Sequence, residues 1–382
     1  MKKIVYYLFL LCLILPAGLQ CVSVRAAGSV PSVSAQAAVL IDQASGRILF
    51  SRNSSEKLPI ASITKVMTAV LAIESGKLNR MVTVSREAVR AEGSSIYLKP
   101  GERIRLIDLV YGLMLRSGND ASVAIAEAVA GSTAGFALLM NEKAAELGMN
   151  GTHFMNPNGL DDPGHYSTAA DMAVLTRYAM QNTTFRKITG TRSYRVEKTN
   201  KEQVRVLLNK NKMLRLYSKA TGGKTGFTKK AGRTLISTAS SGSVSLIVVT
   251  LNDGDDWRDH QQLFEWGFTN YHPVVVVHQG KLKANTVSFY RNRLYIRHNA
   301  VWPLTDQEAA RVKRDLVLVA PTSGKEKQMP PEPAGYLKIR VAQEQLGSIP
   351  VYYKKAAEEK KSFWKLFTSL LTTLISGGAQ SL

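Results

Sequence analysis

The chain has 382 residues, 45% of them apolar, with 50 Lys and Arg against 29 Asp and Glu and a formal net charge of +21. That apolar content excludes a disordered chain and is ample for one large core plus a second, smaller one. The positive balance favours anionic polymers, acidic lipid or nucleic acid as partners and does not choose among them.

The first residues address the compartment. Lys2 and Lys3 precede an apolar run at 4–15, then Pro16 and the small-residue pattern Val24-Arg25-Ala26. This is the order of a secretory signal, with cleavage expected after Ala26, and the run is too short to span a bilayer. Gly18-Leu19-Gln20 before Cys21 departs from a lipobox. Both cysteines, Cys12 and Cys21, precede the expected cut. The mature chain is therefore expected to carry no thiol, no disulfide and no Cys-ligated metal, and export counts against a nucleic-acid partner.

After a polar linker, "AAVLIDQASGRILFSRN" predicts two antiparallel strands joined by a turn at 43–46. "PIASITKVMTAVLAIESG" begins at Pro59, is apolar on nearly every face and stops at Gly76, which predicts a buried helix. "LIDLVYGLMLRSGNDASVAIAEAVAG" predicts two helices broken at Ser117-Gly118-Asn119, with Asp120 capping the second. A helix in "FALLMNEKAAELG", a polar loop at 150–167 and a helix opened by Thr168 and Asp171 follow. "RTLISTASS" and "VSLIVVTLND" predict a hairpin, and a helix is expected at about 259–271. Strands at both ends and helices between them predict one sheet built from early and late chain under a helical cluster.

Residues 273–353 read as a small β-sandwich, with short β-like runs such as "VVVVHQG", "TVSFY", "LYIRH", "DLVLVAP" and "YLKIRVA". In 354–382, Lys354, Lys355, Lys360 and Lys361 precede "SFWKLFTSLLTTLISGG", whose Phe363, Trp364, Leu366, Phe367, Leu370, Leu371, Leu374 and Ile375 share one helical face. That pattern predicts an amphipathic helix lying in a membrane interface, with its lysines drawn to acidic lipid.

Three fragments carry candidate chemistry. Ser-x-x-Lys occurs at Ser54–Lys57, Ser62–Lys65 and Ser362–Lys365, but only Ser62–Lys65 opens an apolar helix, where a spacing of three puts both side chains on one face. A lysine buried there loses hydration, its pKa falls, and the neutral amine can take the serine proton. Ser117-Gly118-Asn119 sits between two apolar helices, where a hydroxyl can pass a proton and an amide can grip a peptide bond. "KATGGKTGFTKKAG", residues 219–232, holds the only Lys-Thr-Gly, at Lys224. It lacks the earlier glycine of a phosphate-binding Walker loop, and offers instead a cation, a hydroxyl and a strand edge.

In that order, 55 and then 107 residues apart, these fragments resemble the three signatures of penicillin-interacting serine enzymes. "ASITKVMTA", "LMLRSGNDA", "GGKTGFTKKAG" and "NPNGLDDPGHYSTAADMAVL" are similar to the low-molecular-weight D-alanyl-D-alanine carboxypeptidases within that group. The resemblance implies an α+β fold: a signal peptide at 1–26, a β-lactamase/transpeptidase-like domain at 27–272, the β-sandwich at 273–353 and the anchor helix at 354–382.

The same resemblance implies the roles. Ser62 would be the nucleophile, Lys65 its base and Ser117 the relay to the leaving D-alanine. The Ser62 and Phe227 amides would form the oxyanion hole, and Asn119 would hold the substrate amide. Lys224, Thr225, Gly226 and Thr228 would line the site for the terminal carboxylate. Lys210 and Lys212 stand where relatives place an arginine, which leaves further carboxylate contacts open. The implied partners are peptidoglycan stem peptides, β-lactams as covalent inhibitors and a membrane surface on the outer face of the cytoplasmic membrane. No cofactor is implied, and the six histidines show no close metal-ligand spacing. A D,D-endopeptidase would use the same serine on cross-links. A class A β-lactamase normally has Ser-Asp-Asn in the second motif, where this chain has Gly118 in the middle position, and a Glu-x-x-Leu-Asn loop before the third, which this chain lacks between Asn119 and Lys224.

Overall fold

The structure, a computed structural model, describes residues 29–197, 199–201, 204–284, 288–320 and 331–354. The expected export signal, and all of the expected anchor helix but Lys354, lie outside the described residues.

The central sheet joins the two ends of the first domain, as its strand pattern predicts. Strands β1 (Ala37–Asp42), β2 (Ile48–Arg52), β3 (Ala220–Thr228), β4 (Gly232–Ser241) and β5 (Val244–Leu251) pair antiparallel in the order β2-β1-β5-β4-β3. The two-residue period of a strand sorts the side chains of β1 between two cores. Ala37, Val39 and Ile41 enter the cluster under the helices, while Ala38 and Leu40 pack with Leu263 and Phe264 on the other face. The sheet is therefore covered on both sides.

Among the described residues, the helices of eight or more residues are α1 (Lys65–Glu74), α2 (Asn119–Ala130), α3 (Thr133–Glu146), α4 (Ala169–Ala179), α5 (Thr183–Gly190) and α6 (Asp256–Asn270). α1 is buried from Lys65 to Ile73 and packs against α2, α4 and α5. α4 lies on β1 and β5, and α6 covers the opposite face.

Three local expectations change. The chain past Pro59 first forms a 3-10 turn, Ala61–Thr64, and α1 starts only at Lys65. Asp120 does not cap α2, whose N-cap is Gly118. Its carboxylate instead accepts hydrogen bonds from Ser95 Oγ and the Ile96 and Leu98 amides, pinning the preceding loop. Ser288–Tyr290, within the run expected as a strand, is a 3-10 turn that buries Tyr290 against Tyr353.

From His272 the chain builds its own core around Tyr290, Leu304, Ile339 and Val351. A five-stranded antiparallel sheet runs in the order Gly280–Lys281, Leu294–Ile296, Glu344–Tyr353, Gly335–Val341, Val312–Leu318. His272–Val277 pairs separately with Ala300–Leu304. Arg47, in the β1–β2 turn, links the first domain to this module. Its guanidinium donates to Pro303 O at 2.6 Å and to both carboxylate oxygens of Glu308 at 2.5 and 2.9 Å. Two parallel N–H···O bonds to one carboxylate fix direction as well as distance.

Candidate active site

The chain turns sharply into Ser62: Ala61 has a φ of 47°, and the 3-10 turn points the serine hydroxyl at the first residue of α1. Lys65 Nζ lies 2.8 Å from Ser62 Oγ and donates at 2.5 Å to the carbonyl of Asn158, in the loop before α4. The lysine is fully buried. Burial pushes its pKa well below the usual lysine value, and the charges of Lys224 and Lys210 push in the same direction.

Ser117 follows a π-helical turn, Gly112–Arg116, and adopts a left-handed conformation with φ 62° and ψ 33°. Such a backbone costs a non-glycine residue about 1–2 kcal/mol, and it aims the hydroxyl back across the helix break. Asn119, the first residue of α2, donates from Nδ2 to Glu92 O at 2.5 Å. Its Oδ1 is buried and accepts no hydrogen bond among the described residues. An acceptor in that condition matches an incoming N–H.

β3 is an edge strand of the sheet, and it carries the third fragment. Lys224 is 1% exposed, and its Nζ donates to Ser117 Oγ at 3.1 Å and to Thr225 O at 2.6 Å. Burial, and then the charge of Lys210, lower its pKa to about 7. Gly226 lets this strand reach the nucleophile, because a Cβ there would sit 2.9 Å from the Ser62 amide nitrogen and 2.4 Å from Thr234 Oγ1.

The three fragments therefore meet. A cleft of about 340 Å3 is lined by Ser62, Ser117, Thr225, Gly226 and Phe227, with Lys65 and Lys224 buried beside it. Thr228 is not in its lining: its hydroxyl donates to Asp161 at 2.8 Å and accepts from the Ala231 amide. That hydroxyl ties the turn after β3 to the loop at 150–167 instead of facing the cleft.

Lys210, left open from sequence, lines the cleft and donates from Nζ to Ser94 Oγ at 3.1 Å. Lys212 is not in the lining. Sequence reasoning missed Arg233, Asp256 and Trp257, which form the far wall. The Arg233 guanidinium pairs with the Asp256 carboxylate and lies 5.9 Å over the Trp257 ring. Register is the signal that finds Arg233, because it stands directly opposite Phe227 across the β3–β4 turn. Asp256 and Trp257 have no such signal, since only folding brings the start of α6 to this edge.

The D-alanyl-D-alanine carboxypeptidase family matches residues 24–255. The chain is 38% identical over 251 residues to the D-alanyl-D-alanine carboxypeptidase DacF of Bacillus subtilis, covering 63% of this chain and 64% of the relative. It is 36% identical over 264 residues to DacC of Escherichia coli, covering 65% and 64%. The matched region thus spans just under two thirds of the length of these curated relatives. Among solved structures, penicillin binding protein 5 of Haemophilus influenzae superposes with a TM-score of 0.73 at 27% identity, covering 86% of this chain and 98% of that one. The likeness supports a mixed penicillin-binding, transpeptidase-like fold of antiparallel sheets and helices.

Proposed function

The chain belongs to the D-alanyl-D-alanine carboxypeptidase family, and from that membership and the geometry of its cleft we propose that it is a serine-type D-Ala-D-Ala carboxypeptidase acting on peptidoglycan stem peptides. The observation that carries this reading is the 2.8 Å contact between Ser62 Oγ and the nitrogen of a fully buried lysine. A lysine desolvated in this way is neutral enough to accept a proton.

In this reading Ser62 Oγ attacks the carbonyl carbon of the D-Ala-D-Ala bond as Lys65 Nζ takes its proton. The oxyanion forms between the amides of Ser62 and Phe227. The leaving amine of D-alanine receives its proton through Ser117 Oγ, which Lys224 Nζ contacts. Water then hydrolyses the ester, again with Lys65 as base. Asn119 Oδ1 accepts from the substrate amide. The terminal carboxylate lies between Lys224, Thr225 and the Arg233 guanidinium, and a charged substrate there favours the protonated form of Lys224.

β-Lactams would acylate Ser62 by the same attack and leave slowly. The chain would work on the outer face of the cytoplasmic membrane, with 1–26 removed and the amphipathic pattern of 354–382 holding it to the surface. The β-rich module at 273–353 would form a small sandwich standing between that anchor and the cleft. Labelled penicillin with peptide mapping tests the nucleophile, and D-alanine release from uncross-linked pentapeptide tests the reaction. Release from cross-linked dimer alone would replace the carboxypeptidase reading with an endopeptidase, and fast β-lactam turnover without a stable acyl-enzyme would replace it with a β-lactamase.

A further inference from the structure

The β-rich module carries a face of one charge. Residues 279–299 contain five Lys or Arg and no Asp or Glu. The fold adds Lys354 to them, its amide donating to Arg293 O at 3.0 Å where the last strand pairs with Leu294–Ile296. Three carboxylates of the module are engaged elsewhere, Glu308 and Glu344 with Arg47 and Asp315 with Arg340.

Two hollows open on this face and share Gly280 and Tyr295. One, of about 330 Å3, carries Lys281, Arg293 and Lys354; the other, of about 540 Å3, carries Arg297 and His298. The Arg297 guanidinium carbon lies over the Tyr352 ring, 3.6 Å from its centroid, and the Tyr295 and Tyr352 rings are 5.8 Å apart. Stacking holds a guanidinium in place while its edge donors point away from the ring, the arrangement that suits a phosphate oxygen. Tyrosine, apolar in its body and polar at its tip, suits the depth of a lipid headgroup.

We propose that this basic, tyrosine-bearing face around Lys281, Arg293, Arg297 and Lys354 binds the phosphate headgroups of acidic phospholipid. Two separate hollows fit individual headgroups better than a running polymer, which needs one continuous groove. The face also lies where the chain passes into Lys355, Lys360, Lys361 and the apolar pattern that follows them in sequence. A module seated this way on the membrane has its orientation set by several contacts instead of one tether. The inference is independent of the chemistry in the cleft.

The test is binding of the full chain to vesicles of phosphatidylglycerol mixed with phosphatidylcholine, and to phosphatidylcholine alone, over a range of salt. Each cation near an acidic bilayer strengthens attachment about fivefold, so the K281Q/R297Q/K354Q variant is expected to bind acidic vesicles roughly a hundredfold more weakly, with a shallower salt dependence. A charge-matched R311Q/K313Q/K338Q variant, altered on exposed positions outside the hollows, is expected to stay within about threefold of the parent, inside the fivefold worth of a single surface cation. If the triple variant does not fold, K281Q and K354Q singly should each cost about fivefold. Equal losses in both triple variants, unchanged binding in the first, or displacement of the chain from vesicles by soluble poly(glycerol phosphate) would each overturn the proposal.

Discussion

The imidazole of His165 and the hydroxyl of Thr64 lie 2.8 Å apart, and through that contact the loop before α4 braces the turn that carries Ser62. His165 Nδ1 accepts from the Met155 amide, so Nε2 carries the proton and donates to Thr64 Oγ1. Thr64 in turn donates to Ala61 O at 2.8 Å. The same loop supplies the Asn158 carbonyl to Lys65, so one segment positions both nucleophile and base.

This brace makes stability depend on pH. Burial lowers the pKa of His165 to about 4 and that of His260 to about 3, from an ordinary 6.5. In the unfolded chain both rings bind protons near the ordinary value, so their stabilisation is full above pH 6.5 and is lost as pH falls toward 4 and then 3. For His165 alone the loss is about 3 kcal/mol. Urea midpoints should fall steadily over that window, and H260Q should flatten the curve. A midpoint that does not move between neutral pH and 4.5 would contradict the burial of both rings.

Lys65→Arg keeps a long basic side chain at this position, but a guanidinium does not give up its proton. Loss of a general base costs about 10²–10⁴-fold, so acylation by labelled penicillin and D-alanine release should fall together by that range. Labelling at the parent rate would show that Lys65 is not the base.

Lys224 gives the rate its upper pH limit. kcat/KM should rise with pH as the remaining Lys65 molecules lose their protons, then decline above about 7 as Lys224 loses the charge that holds the carboxylate. Lys224→Arg keeps that charge at every working pH. Its pH profile should lose the alkaline decline, even if the larger side chain lowers the rate. A decline left at the same pH in this variant would assign that limb to another group.

Arg233→Ala should raise KM about ten- to a hundredfold for a peptide ending in a free carboxylate, with little change in kcat, because a charged hydrogen bond contributes about 1.5–3 kcal/mol. The same peptide with an amidated end should be insensitive to the change. Equal sensitivity of both peptides would mean that Arg233 acts through Trp257 and Asp256 on the wall itself and not on the carboxylate.

Much of this arrangement was legible one residue at a time. The apolar run "AAVLID" and the β-branched "VSLIVVTL" predict strands, and the all-round apolar pattern after Pro59 predicts a buried helix. α5 and the hairpin of Ser193–Val196 with Arg205–Leu208 were not legible. α5 is eight residues long with only Phe185 and Ile188 as large apolar side chains, and the hairpin strands are four residues each, too short for a period to stand out, so tertiary contacts decide their form.

What the sequence determined by itself was local and periodic: which segments are strands or helices, and which serines stand one helical turn from a lysine. Those properties depend on neighbours within a few residues, so spacing reveals them. Only the tertiary structure decided that Lys224 reaches Ser117 across 107 positions, that Thr228 turns away to Asp161, and that Arg233 meets Trp257 at the cleft. The same holds for the acidity of Lys65 and Lys224, which is set by burial and by the cations that packing brings near them. Desolvation is a property of the whole surrounding fold, and no stretch of sequence contains it.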